Sequence, residues 1–217
     1  MCPSQEERGF TLVELMVVVL IIGILSALAA PEISEAMMNR RMTAAGVRVM
    51  AIYRGARARA LGRGLAQMVR YTQIGNSATV EHWEGNSNSC AASDWATIVT
   101  TRAAAPTFRR MLVDEENFST VGTDWERSGI VLNRLNVTGN LAGGSIAPQV
   151  DLCFTPLGRL FYRSGGAGPF LDVPNGETGY QLRIERLDLG TGSKVGVARY
   201  VVVPTSGTPR LQLMRDP

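Results

Sequence analysis

The stretch Arg8–Glu32, RGFTLVELMVVVLIIGILSALAAPE, sets one carboxylate, Glu14, inside an otherwise apolar run. From Phe10 to Ala30 there are 21 residues, which as a helix span about 31 Å, the thickness of a bilayer's hydrocarbon core. Thirteen Phe, Leu, Ile and Val residues, at about −0.3 to −0.6 kcal/mol each, outweigh one acid costing about 3 kcal/mol at the bilayer centre. Insertion wins despite Glu14. A cleaved secretory signal fits poorly, because MCPSQEERG sets Glu6 and Glu7 against Arg8 where a positive n-region is expected, and Pro31 directly follows the Ala-Leu-Ala-Ala site. A lipid-modified Cys2 fits no better, since no apolar segment precedes it.

Beyond this segment the helical pattern continues. Met38, Met42, Ala45, Val49, Ile52, Ala56 and Ala60 recur at steps of three and four, a stripe suited to packing on a sheet. Arg40, Arg41, Arg48, Arg54, Arg57, Arg59 and Arg63 mostly fall off that stripe, free to snorkel, to be solvated, or to pair with acids of neighbouring molecules. Gly23 and Pro31 are the helix's weak points, and Gly62 and Gly64 supply its stop.

After Gly64 the period changes to short strand-like runs: LAQMVRYT, SATVEHW, WATIVTT, GIVLNRLNV, VDLCFTP, GRLFYR, YQLRIERLDL, VGVARYVVVP and LQLM. Turn residues separate them, which predicts an antiparallel, largely β domain. The clearest hairpin joins YQLRIERLDL to VGVARYVVVP through GTGSK, with Tyr180, Leu182 and Ile184 alternating against Gln181, Arg183 and Glu185. Residues 71–123 are the least readable, and the acids of VDEENF (Asp114, Glu115, Glu116) read as a solvated loop, with a calcium site as the alternative.

The 217 residues, 45% hydrophobic, thus have room for one membrane segment and one globular domain. Of 22 basic residues only Lys194 is a lysine, and the net charge of +3 is too mild to mark a nucleic-acid footprint. Of three cysteines, Cys90 and Cys153 lie in the domain, either bridged or as two buried thiols. Nothing points to an enzyme. The sole histidine, His82, reads as a solvated strand residue, no Cys/His set has metal-ligand spacing, and no Gly-rich run has a phosphate-loop pattern. No cofactor is expected.

A short hydrophilic leader ending in Gly9, then Phe10-Thr11-Leu12-Val13-Glu14 and an apolar run, resembles the class III leader of type IV pilins and pseudopilins. The resemblance implies an α+β fold, a long N-terminal helix packed on a C-terminal antiparallel β-sheet domain. It also implies that a prepilin peptidase cuts between Gly9 and Phe10 and methylates the new Phe10 amine, while the apolar segment stays on the mature chain. The implied division is 1–9 leader, 10–30 membrane half of the helix, 31–64 amphipathic half, and 65–217 globular domain. Glu14, one turn from that amine, would meet the amine of a neighbouring subunit, because opposite charges in lipid gain by pairing. Gly23 and Pro31 would let the helix curve or melt locally in a filament.

MAIYRGARARALGRGLAQMVRY, DLCFTPLGRLFY and ARYVVVPTSGTPRLQLM are similar in type and order to the GspH/FimT/FimU family of minor pilins and pseudopilins. That likeness implies inner-membrane insertion with a periplasmic domain, then residence in a filament, at its tip in some members. Partners would be other minor pilins, the major pilin and an inner-membrane assembly platform. Three functions stay open: a minor pilin priming or capping a type IV pilus, a GspH-like pseudopilin of type II secretion, and a FimT-like subunit capturing DNA. For the last, Gly207-Thr208-Pro209-Arg210 lacks the first arginine of the Gly-Arg-x-Arg element. Arg210 and Arg215 alone make a thin phosphate site.

Overall fold

A computed structural model of the chain describes residues 10–74, 77–96, 112–118, 130–134, 148–173, 179–188 and 191–214. It divides into two compact units, residues 1–40 and 41–217. One 52-residue helix, α1 (Leu12–Arg63), runs through the first unit and on into the second. Within the first unit its large apolar side chains from Leu12 to Leu28 are exposed, and it is long and apolar enough to cross a membrane. Gly23 and Pro31 both lie within it, and neither ends it.

In the second unit α1 is held by two antiparallel sheets. The first contains β1 (Gln67–Ile74), β2 (Ser77–Glu84), β3 (Leu112–Asn117), β5 (Gln149–Phe154), β6 (Leu160–Ser164) and the two-residue β7 (Leu171–Asp172), in the order β3-β2-β1-β5-β6-β7. The second contains β4 (Ile130–Arg134), β8 (Tyr180–Leu187), β9 (Lys194–Val203) and β10 (Arg210–Met214), in the order β10-β9-β8-β4. The expected β8–β9 hairpin is present, with Tyr180 opposite Val203 and a register shift between Ile184 and Arg186.

Met42, Ala45, Val49, Ile52, Tyr53, Ala56 and Ala60 of α1 are buried in one cluster with Val69, Tyr71, Val80, Leu152 and Phe154 of the first sheet. Tyr180, Leu182, Ile184, Val201 and Val203 of the second sheet join the same cluster. The helical stripe therefore serves both sheets, and each large side chain in it contributes about 1.5–3 kcal/mol of burial. Small residues set the approach: a Cβ on buried Gly46 would stand 2.6 Å from Leu211 Cδ1 of β10. The helix stops at Gly64, whose φ of 70° and N–H donation to Ala60 O (3.2 Å) form a left-handed cap. Gly62 lies inside the helix and does not stop it.

Several sequence expectations are corrected. Asp114 and Glu116 lie in strand β3, and both accept hydrogen bonds from Arg48 of α1 at 2.9 Å. Instead of a solvated loop, residues 112–117 form an edge strand pinned to the helix through Asp114 and Glu116. Arg59 and Arg63 pair with Glu84 at 4.0 and 3.2 Å, Arg57 donates to Thr208 Oγ1 at 2.7 Å, and Arg54 reaches Pro209 O. These arginines bind acceptors of their own chain. Arg183 and Glu185, which alternate with Leu182 and Ile184 along β8, are also buried, as an ion pair that Lys194 joins at 3.2 Å from Glu185. The expected strand WATIVTT begins in a helical turn at Trp95–Ala96, and its remainder lies outside the described residues.

The far face of the first sheet, turned away from α1, is also buried. Residues 85–96 fold over it, with Trp95 Nε1 donating to Cys90 O at 2.7 Å and Ala66 N donating to Ser87 O at 2.7 Å. Cys90 is disulfide-bonded to Cys153 of β5, and the bridge packs with Ala66, Met68, Trp83 and Trp95. Beside this cluster, buried Asp151 takes both Arg70 (2.7 Å) and Arg163 (2.6 Å). The bridge closes a loop across a sequence separation of 63, which in the chain-entropy account stabilises by about 4 kcal/mol.

Candidate assembly site

Phe10 precedes the helix and is exposed. Thr11 is the helix N-cap: its Oγ1 accepts the Glu14 N–H at 3.2 Å and its carbonyl accepts the Leu15 N–H at 3.3 Å. Thr11-Leu12-Val13-Glu14 has the Thr-x-x-Glu spacing of a capping box, a signal present in the sequence that hydropathy alone overlooks. Glu14 is the acid of the first turn, where the positive end of the helix dipole favours a carboxylate. Two local effects therefore favour an acid at this position: the capping-box spacing from Thr11 and the helix dipole.

Gly9 and Arg215 lie outside the described residues. Gly23 has open space around a notional Cβ, so none of the described residues requires its smallness. Arg210 is the exposed first residue of β10, and the turn before it is engaged by Arg54 and Arg57 of α1. The candidate site residues thus occupy separate places: Phe10 and Glu14 at the helix start, the cysteines behind the first sheet, and Arg210 on the second.

His82 is 1% exposed, which corrects the expectation of a solvated residue. Its Nε2 lies 2.9 Å from Gln67 Oε1, while Gln67 Nε2 donates to Glu84 Oε2 at 3.1 Å. Since the amide oxygen only accepts, His82 carries its proton on Nε2. Burial, aided by the nearby Arg59 charge, lowers its pKa to about 3. A neutral, enclosed imidazole in a chain of structural hydrogen bonds ties β1 and β2 to the arginines at the helix end. Among the described residues no group of three or more His, Cys, Asp or Glu is arranged to hold a metal ion.

Residues 5–30 match the family model of the prokaryotic N-terminal methylation motif. The match supports a type IV pilin-like protein. The α+β architecture, one long apolar N-terminal helix with antiparallel sheets after it, is consistent with a type IV pilin fold. The motif points to a structural pilin, to processing by a prepilin peptidase and to assembly with pilins, and with the apolar helix it suggests membrane anchoring. No curated protein and no solved structure matches the chain significantly.

Proposed function

We propose that this chain is a minor pilin that co-assembles with other minor pilins and a major pilin to prime or cap a type IV pilus. The observation that carries the reading is the methylation motif at residues 5–30, overlapping the part of α1 whose large apolar side chains, from Leu12 to Leu28, are exposed. In this reading a prepilin peptidase removes residues 1–9 by cutting between Gly9 and Phe10 and methylates Phe10. Residues 10–30 then hold the chain in the inner membrane, with residues 65–217 in the periplasm, until an assembly platform passes it into the filament. A disulfide-bonded domain suits that compartment, because such bonds persist where thiols are not kept reduced. Glu14 pairs with the amine of a neighbouring subunit, and Gly23 and Pro31 give the helix its places to bend.

Mass spectrometry of filaments sheared from the host surface tests this. The expected product is a peptide beginning at N-methylated Phe10 beside the major pilin. A processed chain confined to the membrane fraction would favour the secretion pseudopilus, and an intact Met1 terminus would overturn the pilin-like reading.

A further inference from the structure

The Cys90–Cys153 bridge joins two parts of the second unit that differ in access. Cys153 is buried in β5, opposite Met68 of β1 on one side and Phe161 of β6 on the other. Trp83 and Trp95 pack with the bridge on the far face of that sheet. Cys90 belongs to the covering segment, residues 85–96, and is itself only 3% exposed, but it borders a hollow. That hollow, a cavity of about 420 Å3, opens at the end of α1 between residues 88–91 of the cover and the turn after β5, where Thr155, Pro156 and Leu157 form the opposite wall. Cys153 is not among the described residues that line it. One end of the bridge thus stands at the edge of an open cavity and the other lies within a sheet.

Thiol–disulfide exchange turns this difference of access into one of reactivity. An attacking thiolate approaches one sulfur from the side opposite the sulfur that leaves, and the rate depends on which sulfur it can reach. For Cys153 that side is the sheet itself, whose other face packs against α1 through Leu152 and Phe154 of the same strand. For Cys90 it is the side of the cover turned away from the sheet, where residues 88–91 border the hollow. The cover is fastened around Cys90 by local hydrogen bonds: Trp95 Nε1 to Cys90 O at 2.7 Å, Ser93 N to Ser89 O at 3.2 Å and Asp94 N to Asn86 Oδ1 at 3.2 Å. A small local opening of these bares Cys90, whereas reaching Cys153 from behind means parting β1, β5 and β6.

We propose that Cys90 is the exchange point of the bridge, a site of reversible S-thiolation by a low-molecular-weight thiol entering through the hollow. The thiolate attacks Cys90 Sγ. A new S–S bond forms there as the Cys90–Cys153 bond breaks, and the bonding pair leaves on Cys153 Sγ, which takes a proton from water. In the return step the Cys153 thiolate attacks Cys90 Sγ, expels the small thiolate and restores the bridge, so the cycle needs no further oxidant or reductant. The hollow is of the size that holds small ligands, and Asn88, Ser89 and Thr155 give its lining polar groups beside Phe161 and Phe170. The proposal needs only the folded second unit and is independent of whether the chain enters a filament.

The test uses the full chain in detergent micelles, with Cys2→Ser so that only the bridge reacts. It is treated with reduced glutathione at about pH 8, where part of the thiol is thiolate, quenched in acid at intervals, and mapped by peptide mass spectrometry. The expected result is a glutathione adduct on Cys90 in at least about tenfold excess over Cys153, formed at a rate that about 1 M urea leaves unchanged. Attack through the unfolded chain would instead label both cysteines alike and quicken about 30-fold with each molar of urea, the effect of a slope typical for a domain of this size. Equal labelling, a preference for Cys153, the steep urea dependence, or no adduct before the domain unfolds would each overturn the proposal.

Discussion

His82 offers a quantitative test of the buried network, because it is the chain's single histidine. In the folded state its pKa is lowered to about 3, while in the unfolded chain it returns to about 6.5. Between those values the unfolded state binds the proton and the folded state does not, so stability is complete above about pH 7.5 and falls as pH drops. At pH 5 the loss is RT ln(1 + 10^1.5), about 2 kcal/mol, and any folded pKa below about 4 gives the same figure. For a domain of this size a urea slope of about 2 kcal/mol/M converts that to a midpoint about 1 M lower. The assay is urea unfolding of the processed chain in detergent micelles, followed by tryptophan fluorescence, at pH 7.5 and pH 5. His82→Gln cannot titrate but can still donate to Gln67 Oε1, so it should lack this loss. Carboxylates that begin to protonate near pH 5 contribute equally to both proteins and cancel in the comparison. Equal shifts in wild type and His82→Gln would refute the claim that the imidazole is enclosed and neutral.

Three further outcomes follow from the geometry. Gly179 has a φ of 60°, and a Cβ there would run into the backbone at Val203 O and, at 2.6 Å, Pro204 Cα, whereas Gly192 (φ 66°) has open space. Gly192→Ala should cost about 1 kcal/mol and Gly179→Ala at least about 3 kcal/mol, measured by urea unfolding; similar costs would contradict the close approach of these strand ends. Reducing the Cys90–Cys153 bridge, or replacing Cys90 with Ser, should destabilise the domain by about 4 kcal/mol, and an unchanged unfolding midpoint under reductant would show that the bridge constrains nothing. Glu14→Ala should leave leader cleavage intact but lower the amount of chain in sheared filaments; incorporation equal to wild type would remove Glu14 from assembly.

The parts of this fold legible in the sequence are those with a local period. Of the stripe that starts at Met38, Met42, Ala45, Val49, Ile52, Ala56 and Ala60 are buried as the spacing requires, because a helix repeats its own geometry, and Met38 is half-buried. Tyr53 was hidden among arginines, and its burial depends on the arrival of Tyr180, whose ring centroid lies 6.2 Å away. Strand β3 was illegible for the same kind of reason. LVDEEN is poor in strand-forming residues, and what holds it is Arg48, 66 and 68 residues earlier in the chain. His82 failed differently. Alternation sorts a strand's residues into two faces, and in a sheet covered by α1 on one side and by residues 85–96 on the other it cannot say which face meets water.

The arginines of α1 show where such non-local ties lead. Arg48, Arg54, Arg57, Arg59 and Arg63 all reach acceptors in the sheets or the turn before β10, so the helix is fastened from several sides. A neighbouring subunit that recruited any of them would have to break a contact made within this chain. Under the assembly proposed above, contacts between subunits would come at less cost from groups without such duties. Leu157 has none, and it is presented by a turn whose hydrogen bonds close on themselves. Among the described large apolar residues Leu157 is the most exposed, so it is the single side chain there with most apolar area still open to water.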